Sequence, residues 1–199
     1  MSAFVGKIAP DFTAEALVDG QFKEISLHDF RGKKVVLFFY PLDFTFVCPT
    51  EITAFSDAIA EFRKRNTEVI GVSVDSKHCH RAWAELDRKE GGIKGINFPL
   101  VSDLTKEIAQ EYGVLLDAGY SLRGLFIINK ESILKHLTIN HNDLGRNIAE
   151  VLRLLDAIDY TEEYGEVCPV NWKKGEKAFQ PTSASLKEYL SAKDLVTAY

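Results

Sequence analysis

The sequence predicts a single α/β domain with a partly parallel central sheet. Two short segments, 35–40 and 69–74, are apolar almost throughout, which is typical of strands buried on both faces. Apolar residues at helical spacing lie between and after these segments, and helices that alternate with buried strands are typical of an α/β sandwich. With 199 residues, 46% of them hydrophobic, the chain is long enough to bury one ordinary domain core.

The first half of the chain supplies a hairpin, a strand and a long helix. Segment 12–27 predicts a β-hairpin, because Asp19 and Gly20 are residue types that adopt the positive φ angles of a tight turn. Segment 35–40 then predicts the first buried strand. Beyond it, a helix is expected to begin at Cys48, because apolar residues recur there at helical spacing. These residues are Ile52, Phe55, Ile59 and Phe62.

The second half continues the alternation and ends in an irregular tail. Its predicted elements are a strand at 69–74, a helix at 82–89, a strand at 99–102, a helix bearing Leu104, Ile108 and Tyr112, a hairpin of 125–129 with 133–139, and a helix bearing Ile148, Val151, Leu155 and Ile158. Periodicity is then lost over 160–183, and a weak helix is expected at 185–195. We therefore divide the chain into a domain, 1–159, and a C-terminal arm, 160–199.

Composition excludes several classes of partner and location. The formal net charge is -5, and an acidic surface does not attract nucleic acid or an anionic membrane. No charged leader followed by an apolar run and no stretch of about 18 apolar residues is present, so we expect a cytoplasmic protein. Three cysteines are too few for a secreted disulfide scaffold. We expect no cofactor and no metal, because Cys79 and its neighbours His78 and His80 point in different directions.

Two of the three cysteines lie in the same tripeptide, Val-Cys-Pro, at 47–49 and again at 167–169. Proline is favoured at the first position of a helix, so each cysteine is expected near a helix N-terminus, where the helix dipole and free N–H groups favour an anion. Cys48 also follows a predicted buried strand, and the carboxyl ends of such strands are where α/β proteins collect ligands. The pattern indicates thiol chemistry, with better support for Cys48 than for Cys168.

Several segments resemble one family. Segment 39–51 reads FYPLDFTFVCPTE and is similar to the peroxidatic signature of the peroxiredoxins. Segment 121–128, SLRGLFII, resembles the family's arginine strand, and 165–169, GEVCP, resembles its resolving-cysteine segment. The similarity covers nearly the whole chain and is strongest to typical two-cysteine peroxiredoxins, which include the peroxidase component of bacterial alkyl hydroperoxide reductases. It implies a thioredoxin-like three-layer α/β fold with a mixed central sheet and a C-terminal arm.

The resemblance implies a role for each matched residue of the site. Cys48 is the nucleophile that attacks a peroxide oxygen, and Arg123 stabilises the thiolate and hydrogen-bonds the peroxide. The Thr45 hydroxyl can donate and accept hydrogen bonds. Pro41 shields the thiolate from water, and Glu51 orients an arginine. Arg146 is a candidate second cation near the site, although the sequence of segment 140–146 departs from the family pattern.

The resemblance also implies how the cycle is completed. The Cys48 sulfenic acid condenses with Cys168 of a second subunit in a head-to-tail homodimer, and dimers assemble into a decamer. A thioredoxin-like protein or a flavoprotein disulfide reductase then reduces the disulfide. Members that are sensitive to overoxidation carry a Gly-Gly-x-Gly loop and a C-terminal Tyr-Phe, whereas this chain reads GGIKG at 91–95 and Tyr-Leu at 189–190. We therefore expect an enzyme that resists conversion to the sulfinic acid.

Three other functional classes compete with a peroxidase. A general thioredoxin-type oxidoreductase would need Cys-x-x-Cys, which this chain lacks. A holdase chaperone stays open, because family members form large assemblies under oxidative stress. A redox relay that passes oxidation to a partner protein also stays open. Hydrogen peroxide and organic hydroperoxides are the substrates expected for the favoured peroxidase.

Overall fold

The computed structural model describes residues 3–192. The strands are β1 (Thr13–Val18), β2 (Gln21–Ser26), β3 (Lys34–Phe39), β4 (Thr67–Ser73), β5 (Leu100–Ser102), β6 (Arg123–Ile128) and β7 (Leu134–Asn140). The α-helices are α1 (Val47–Asp57), α2 (Ile59–Lys64), α3 (Lys77–Glu85), α4 (Glu107–Glu111), α5 (Ile148–Tyr164) and α6 (Ser183–Ala192). Within this part of the chain, no helix is long and apolar enough to cross a membrane.

The strands form one mixed sheet in the order β2-β1-β5-β4-β3-β6-β7. Strand β4 pairs in parallel with β3 on one side and with β5 on the other. The other pairings, including β3 with β6, are antiparallel. The predicted α/β class with a mixed central sheet is therefore confirmed.

Strand β3 lies inside the sheet and is covered on both faces, because successive side chains of a strand point to opposite sides. Phe38 stacks on Phe55 of α1, with ring centroids 4.5 Å apart. Phe39 points the other way and meets Tyr112, directly after α4, at 5.3 Å. Both phenylalanines are fully buried. Helices thus cover both faces of the sheet, which gives the three layers that the sequence predicts.

Local sequence explains most element boundaries. Asp19 and Gly20 have φ angles of 51° and 74°, which produce the tight turn between β1 and β2. The long helix expected after Cys48 is divided at Ala58, where the helical backbone is interrupted between α1 and α2. Helix α3 begins earlier than predicted, because the Ser76 hydroxyl accepts a hydrogen bond from the Cys79 backbone and acts as an N-cap.

The chain divides into two compact units, the first ending at Ile148 and the second beginning at Ala149. The second unit contains nearly all of α5, the irregular segment that follows it, and α6. Here Val167 and Phe179 form an isolated β-bridge, and the Phe179 ring lies 4.8 Å from the Tyr189 ring of α6. The division of the sequence at 159 and 160 falls inside α5 and stays a prediction. The predicted end of the last helix, Leu195, lies outside the described residues.

Candidate active site

Cys48 lies in the first turn of α1, directly after the loop that leaves β3. Its side chain is fully buried. The helix begins at Val47, so Pro49 is its third residue rather than its first. The first four N–H groups of a helix have no intrahelical acceptor, so a proline is still tolerated at this position. The predicted placement of Cys48 at a helix N-terminus is confirmed.

The Thr45 hydroxyl is in contact with the Cys48 sulfur. Its Oγ1 lies 2.9 Å from Sγ and also 2.9 Å from the Leu42 carbonyl oxygen. A hydroxyl has one proton to donate and two lone pairs. It can donate to Leu42 while it accepts from a thiol, or it can turn and donate to a thiolate. Thr45 can therefore serve both protonation states of Cys48.

Arg123 reaches the same sulfur from the neighbouring strand. Phe38 of β3 pairs with Leu125 of β6, so Arg123, two residues earlier on the antiparallel strand, lies across from the chain that leaves β3. Its Nη1 is 3.4 Å from the Cys48 Sγ. Its Nε donates to the Asn142 carbonyl at 2.8 Å. This second contact fixes the plane of the guanidinium and directs its other edge at the cysteine.

Glu51 binds two buried arginines at once. Its Oε2 accepts from Arg123 Nη1 and from Arg146 Nη2, both at 2.7 Å. Its Oε1 accepts from the Arg146 backbone N–H and from Arg146 Nε, both at 2.8 Å. The remaining Arg146 nitrogen, Nη1, donates to the carbonyls of Phe39 and Gly124, at the ends of β3 and β6. Arg146 therefore connects the Glu51 carboxylate to the ends of β3 and β6, next to which Cys48 lies.

The charges of the three side chains in this cluster do not balance one another. Two guanidinium groups face one carboxylate, and each of the three side chains is only 3% exposed. Burial lowers the pKa of Arg146, and the Glu51 carboxylate opposes that effect. Because a buried charge is costly unless it is paired, the excess positive charge favours an anion beside Arg123. The Cys48 sulfur, 3.4 Å from Arg123 Nη1, lies where such an anion would be held.

The structure brings Thr45, Cys48, Glu51 and Arg123 together in the first unit. Pro41 is buried at the start of the loop that carries Thr45 and Cys48. The family pattern left Arg146 uncertain, and the structure places it in direct contact with Glu51. The Asn142 contact had no signal in the sequence, because a backbone carbonyl binds Arg123 there and any residue type provides one.

Cys168 lies in the second unit, directly after Val167, which forms the isolated bridge with Phe179. It is a free, partly buried thiol, and its Sγ is 3.9 Å from the Ala157 carbonyl oxygen of α5. Burial raises the pKa of Cys168. The expected N-terminal helix position is wrong for this cysteine, because no helix begins at Pro169. The second Val-Cys-Pro tripeptide resembles the first in sequence and differs from it in conformation.

The sequence analysis missed a buried polar network that contacts the loop between β3 and α1. His80 of α3 is fully buried, and its Nδ1 lies 2.8 Å from Asp43 Oδ2. The other Asp43 oxygen accepts from the Tyr40 hydroxyl at 2.9 Å. The Asp43 backbone N–H in turn donates to Asp75 at 2.9 Å. These contacts hold the loop between β3 and Thr45. His80 and Asp75 lie more than 30 residues from Asp43 in the sequence, so no residue spacing predicted these contacts.

Within residues 3–192, one group of side chains has atoms close enough to share a metal ion. Ligand atoms of Asp43, Asp75 and Cys79 lie within 4.8 Å of one another. However, protein donors already bind both carboxylates: Tyr40 and the Asp43 backbone, described above, and the Ser73 hydroxyl, which donates to Asp75 at 2.8 Å. Burial and the nearby carboxylates raise the pKa of Cys79 to about 12. A thiol that holds its proton so tightly is a poor metal ligand.

Comparison with known proteins identifies similar chains over nearly the full length. The model of the AhpC/TSA family matches residues 5–137, and the model of the C-terminal domain of 1-Cys peroxiredoxin matches residues 157–192. A thioredoxin peroxidase of Echinococcus granulosus is 52% identical over 96% of this chain and 100% of its own. Peroxiredoxin-2 of Mus musculus is 56% identical over 96% of each chain. The reduced crystal structure of Plasmodium vivax 2-Cys peroxiredoxin superposes with a TM-score of 0.93 at 47% identity, covering 95% of this chain and 99% of that one.

Proposed function

The chain belongs to the AhpC/TSA family and is a thiol-dependent peroxidase of the peroxiredoxin type, and within that activity we propose that Cys48 is the residue that peroxide oxidises. One observation carries the assignment. The Cys48 sulfur is buried, and it lies within reach of both a hydroxyl, Thr45, and a guanidinium, Arg123. Cys79 and Cys168 have pKa values above that of an ordinary thiol, so a smaller fraction of each is the nucleophilic thiolate at neutral pH.

The first chemical step forms a sulfur–oxygen bond and breaks the oxygen–oxygen bond. The Cys48 thiolate attacks one peroxide oxygen, and the other oxygen leaves as hydroxide or alkoxide and takes up a proton. Sulfur is oxidised to the sulfenic acid, and the peroxide is reduced to water or an alcohol. Negative charge moves from sulfur onto the leaving oxygen, so fixed donors beside the sulfur stabilise the transition state.

Each neighbouring side chain has a proposed part in this step. Arg123 donates to sulfur and to the peroxide, and Thr45 donates to whichever atom carries the charge. Glu51 orients Arg123, with Arg146 holding the carboxylate from the other side. Pro41 shields the thiolate from water. The support for the roles of Arg123, Thr45, Glu51 and Arg146 is the set of contacts at 2.7–3.4 Å around Cys48 and Glu51. The support for the role of Pro41 is its burial at the start of the loop.

The second chemical step is proposed to join Cys48 to Cys168 of another subunit. The Cys168 thiolate attacks the sulfenic sulfur, the sulfur–sulfur bond forms, and hydroxide leaves and is protonated to water. Disulfide geometry requires β-carbons about 4 Å apart, so the first turn of α1 must unwind locally for the buried Cys48 sulfur to be reached. The match of 157–192 to a model named for one-cysteine members makes a direct test of Cys168 necessary.

The decisive experiment treats reduced protein with one equivalent of hydrogen peroxide and compares reducing with non-reducing gels. Wild type is expected to give a reducible dimer near twice 22.4 kDa, and both Cys48→Ser and Cys168→Ser are expected to lose it. A Cys79→Ser control should behave as wild type. A monomeric oxidised band that needs both cysteines would place the disulfide within one chain. Unimpaired dithiol-dependent turnover by Cys168→Ser would remove Cys168 from the cycle.

We propose a thioredoxin-like dithiol protein as the reductant, with a flavoprotein disulfide reductase as the alternative donor. The name of the Echinococcus granulosus relative, thioredoxin peroxidase, favours the first. Purified thioredoxin with its NADPH-dependent reductase should sustain turnover at a low peroxide concentration. Turnover that requires a flavoprotein disulfide reductase instead would assign the alternative.

We propose a homodimer that assembles further into a decamer. Strand β7 is an edge of the sheet, and an exposed edge strand can pair with that of another chain. Ile139 on β7 is 41% exposed, and Phe46, at the end of the loop before Cys48, is 93% exposed. Light-scattering mass measurements of the reduced and the oxidised protein test both levels of assembly. A monomer at micromolar concentration would contradict the intersubunit disulfide.

We propose a cytoplasmic location, because three unpaired cysteines fit a reducing compartment. Microscopy of the full chain with a fluorescent protein at its C-terminus, together with markers of the organelles, would test this. Fluorescence confined to an organelle would contradict it.

A further inference from the structure

Two contacts hold the segment around Cys168 against α5. Before the cysteine, Glu166 Oε2 accepts from the Tyr160 hydroxyl at 2.7 Å. After it, the Trp172 carbonyl accepts from Arg153 Nη1 at 2.9 Å. The Trp172 ring also lies 5.0 Å from the Tyr160 ring. The cysteine between these contacts is therefore held beside the helix.

Arg153 is fixed on the face of α5 that Cys168 contacts. Its Nε and Nη2 donate to the two Glu150 oxygens, each at 2.7 Å, while Nη1 binds the Trp172 carbonyl. The Cys168 sulfur contacts the carbonyl of Ala157, four residues after Arg153. Residues four apart lie on the same face of a helix. Arg153, whose guanidinium has three fixed nitrogens, thus lies one helical turn before the residue whose carbonyl the sulfur contacts.

Charged and titratable groups of both signs face this thiol. Burial is the largest cause of the raised pKa of Cys168; Arg153 lowers this pKa, and Glu166 raises it. The Tyr160 hydroxyl stays protonated, because its hydrogen bond to Glu166 raises its pKa to about 12. Arg153 is therefore the group on α5 whose charge opposes the effect of burial on Cys168.

We propose that Arg153 is a positioning residue for disulfide formation, and that its guanidinium favours the Cys168 thiolate which attacks the oxidised Cys48. The inference rests on the proposed function of Cys168. In this step the Cys168 sulfur is oxidised and the Cys48 sulfur is reduced, as the sulfur–sulfur bond replaces the sulfur–oxygen bond. Peroxide, consumed in the first step, is the only oxidant required.

A single-cysteine background isolates the property from the catalytic cycle. In Cys48→Ser/Cys79→Ser protein, the rate at which iodoacetamide alkylates Cys168 is measured against pH. Adding Arg153→Gln should move the midpoint of the profile to higher pH and slow alkylation at pH 7 by roughly 3- to 10-fold, since a shift of one unit changes the thiolate fraction about tenfold. Arg153→Lys, which keeps the charge, should recover most of the wild-type midpoint.

Glu166→Gln is the matched variant of opposite sign. It removes the negative charge and keeps an oxygen for the Tyr160 hydroxyl, so the midpoint should move to lower pH. A merely structural role for Arg153 would instead loosen the segment and raise the alkylation rate at every pH, including the high-pH plateau. That outcome, or an unmoved midpoint in Arg153→Gln, would overturn the inference.

The same substitution is then placed in the chain with all three cysteines. After one equivalent of peroxide, Arg153→Gln should form disulfide several-fold more slowly than wild type at pH 7, with the rate of peroxide consumption in the first turnover unchanged. Equal rates of disulfide formation would also overturn the inference. A Cys168→Ser enzyme that turns over normally would refute the proposed function of Cys168 while leaving the alkylation profiles intact, so the two failures are distinguishable.

Discussion

Replacement of Glu51 by glutamine tests whether the buried ion cluster stabilises the fold. The carboxylate accepts four hydrogen bonds, three of them from the Arg123 and Arg146 guanidinium groups and one from the Arg146 backbone, all at 2.7–2.8 Å. Glutamine keeps one acceptor oxygen but turns an NH₂ group toward the guanidinium donors. The variant therefore leaves two buried positive charges without a counter-ion.

The size of the effect follows from burial. Glu51 and its arginine partners are 3% exposed, and removing one partner of a buried ion pair costs about 3–5 kcal/mol. For a chain of this length each kcal/mol lowers Tm by roughly 2–4 °C. Glu51→Gln should therefore lower Tm by roughly 6–20 °C. Peroxide oxidation of Cys48 should also slow, because Arg123 loses the contact that orients it.

Thermal unfolding of the reduced protein, followed by circular dichroism at one fixed concentration, measures the first effect. Glu61→Gln is the matched control, because Glu61 also pairs with two cations, Lys64 and Arg65, but its side chain is 45% exposed. Exposed pairs contribute little, so the control should stay close to wild type. If the two variants lower Tm equally, burial of the Glu51 cluster does not have the energetic role assigned to it.

Three further predictions concern single cysteines and their neighbours. Thr45→Val should slow Cys48 oxidation about 10- to 100-fold, the equivalent of one hydrogen bond to a charged atom. Thr45→Ser, which keeps the hydroxyl, should retain most of the wild-type rate. Stopped-flow fluorescence measures both rates, and equal rates for the two variants would contradict the prediction. The raised pKa of Cys79 means that the folded state favours the protonated thiol, so the free energy of unfolding falls as pH rises from about 9 towards about 12. Cys79→Ala should make the decline of Tm over that pH range less steep. An unchanged decline would contradict this prediction. During turnover with excess peroxide, mass spectrometry should find little Cys48 sulfinic acid, and rapid inactivation would contradict the expectation drawn from the sequence at 91–95 and 189–190.

The sheet was predictable from sequence because its signals are local. Segments 35–40 and 69–74 are apolar through both faces, and only a central strand accommodates that pattern. The Asp19-Gly20 turn was equally local, since few residue pairs adopt two positive φ angles. The prediction of one long helix after Cys48 was wrong at Ala58, because the apolar spacing continues through the interruption and contains no signal of it.

Helix α3 shows what periodicity misses. Its first residues, Lys77, His78 and Cys79, have no apolar stripe, so the prediction began only at 82. The helix begins at Lys77 because the Ser76 hydroxyl caps its N-terminus. The burial of His80 has no local signal either, because it depends on the contact with Asp43, which lies in a distant segment.

The candidate site combines predictable and unpredictable contacts. Cys48, Thr45 and Glu51 lie within seven residues of one another, so one segment contains them all. Arg123 and Arg146 come from elsewhere, and only the pairing of β3 with β6 and the path of the chain after β7 bring them to Glu51. A single sequence shows which residue types such chemistry needs, but distances between segments depend on strand register, which is set by the whole sheet.

The position of Glu51 in α1 bears on how far the helix can unwind in the proposed cycle. Cys48 lies in the first turn, and its sulfur has two polar contacts to lose, those with Thr45 and Arg123. Glu51 follows almost one turn later and has four, at shorter distances. If α1 unwound beyond Glu51, two buried arginines would lose their carboxylate partner. If only the residues before Glu51 unwind, the Cys48 sulfur is exposed and the ion cluster stays intact. The carboxylate that we propose to orient Arg123 in the first step is therefore expected also to limit how far α1 unwinds in the proposed second step.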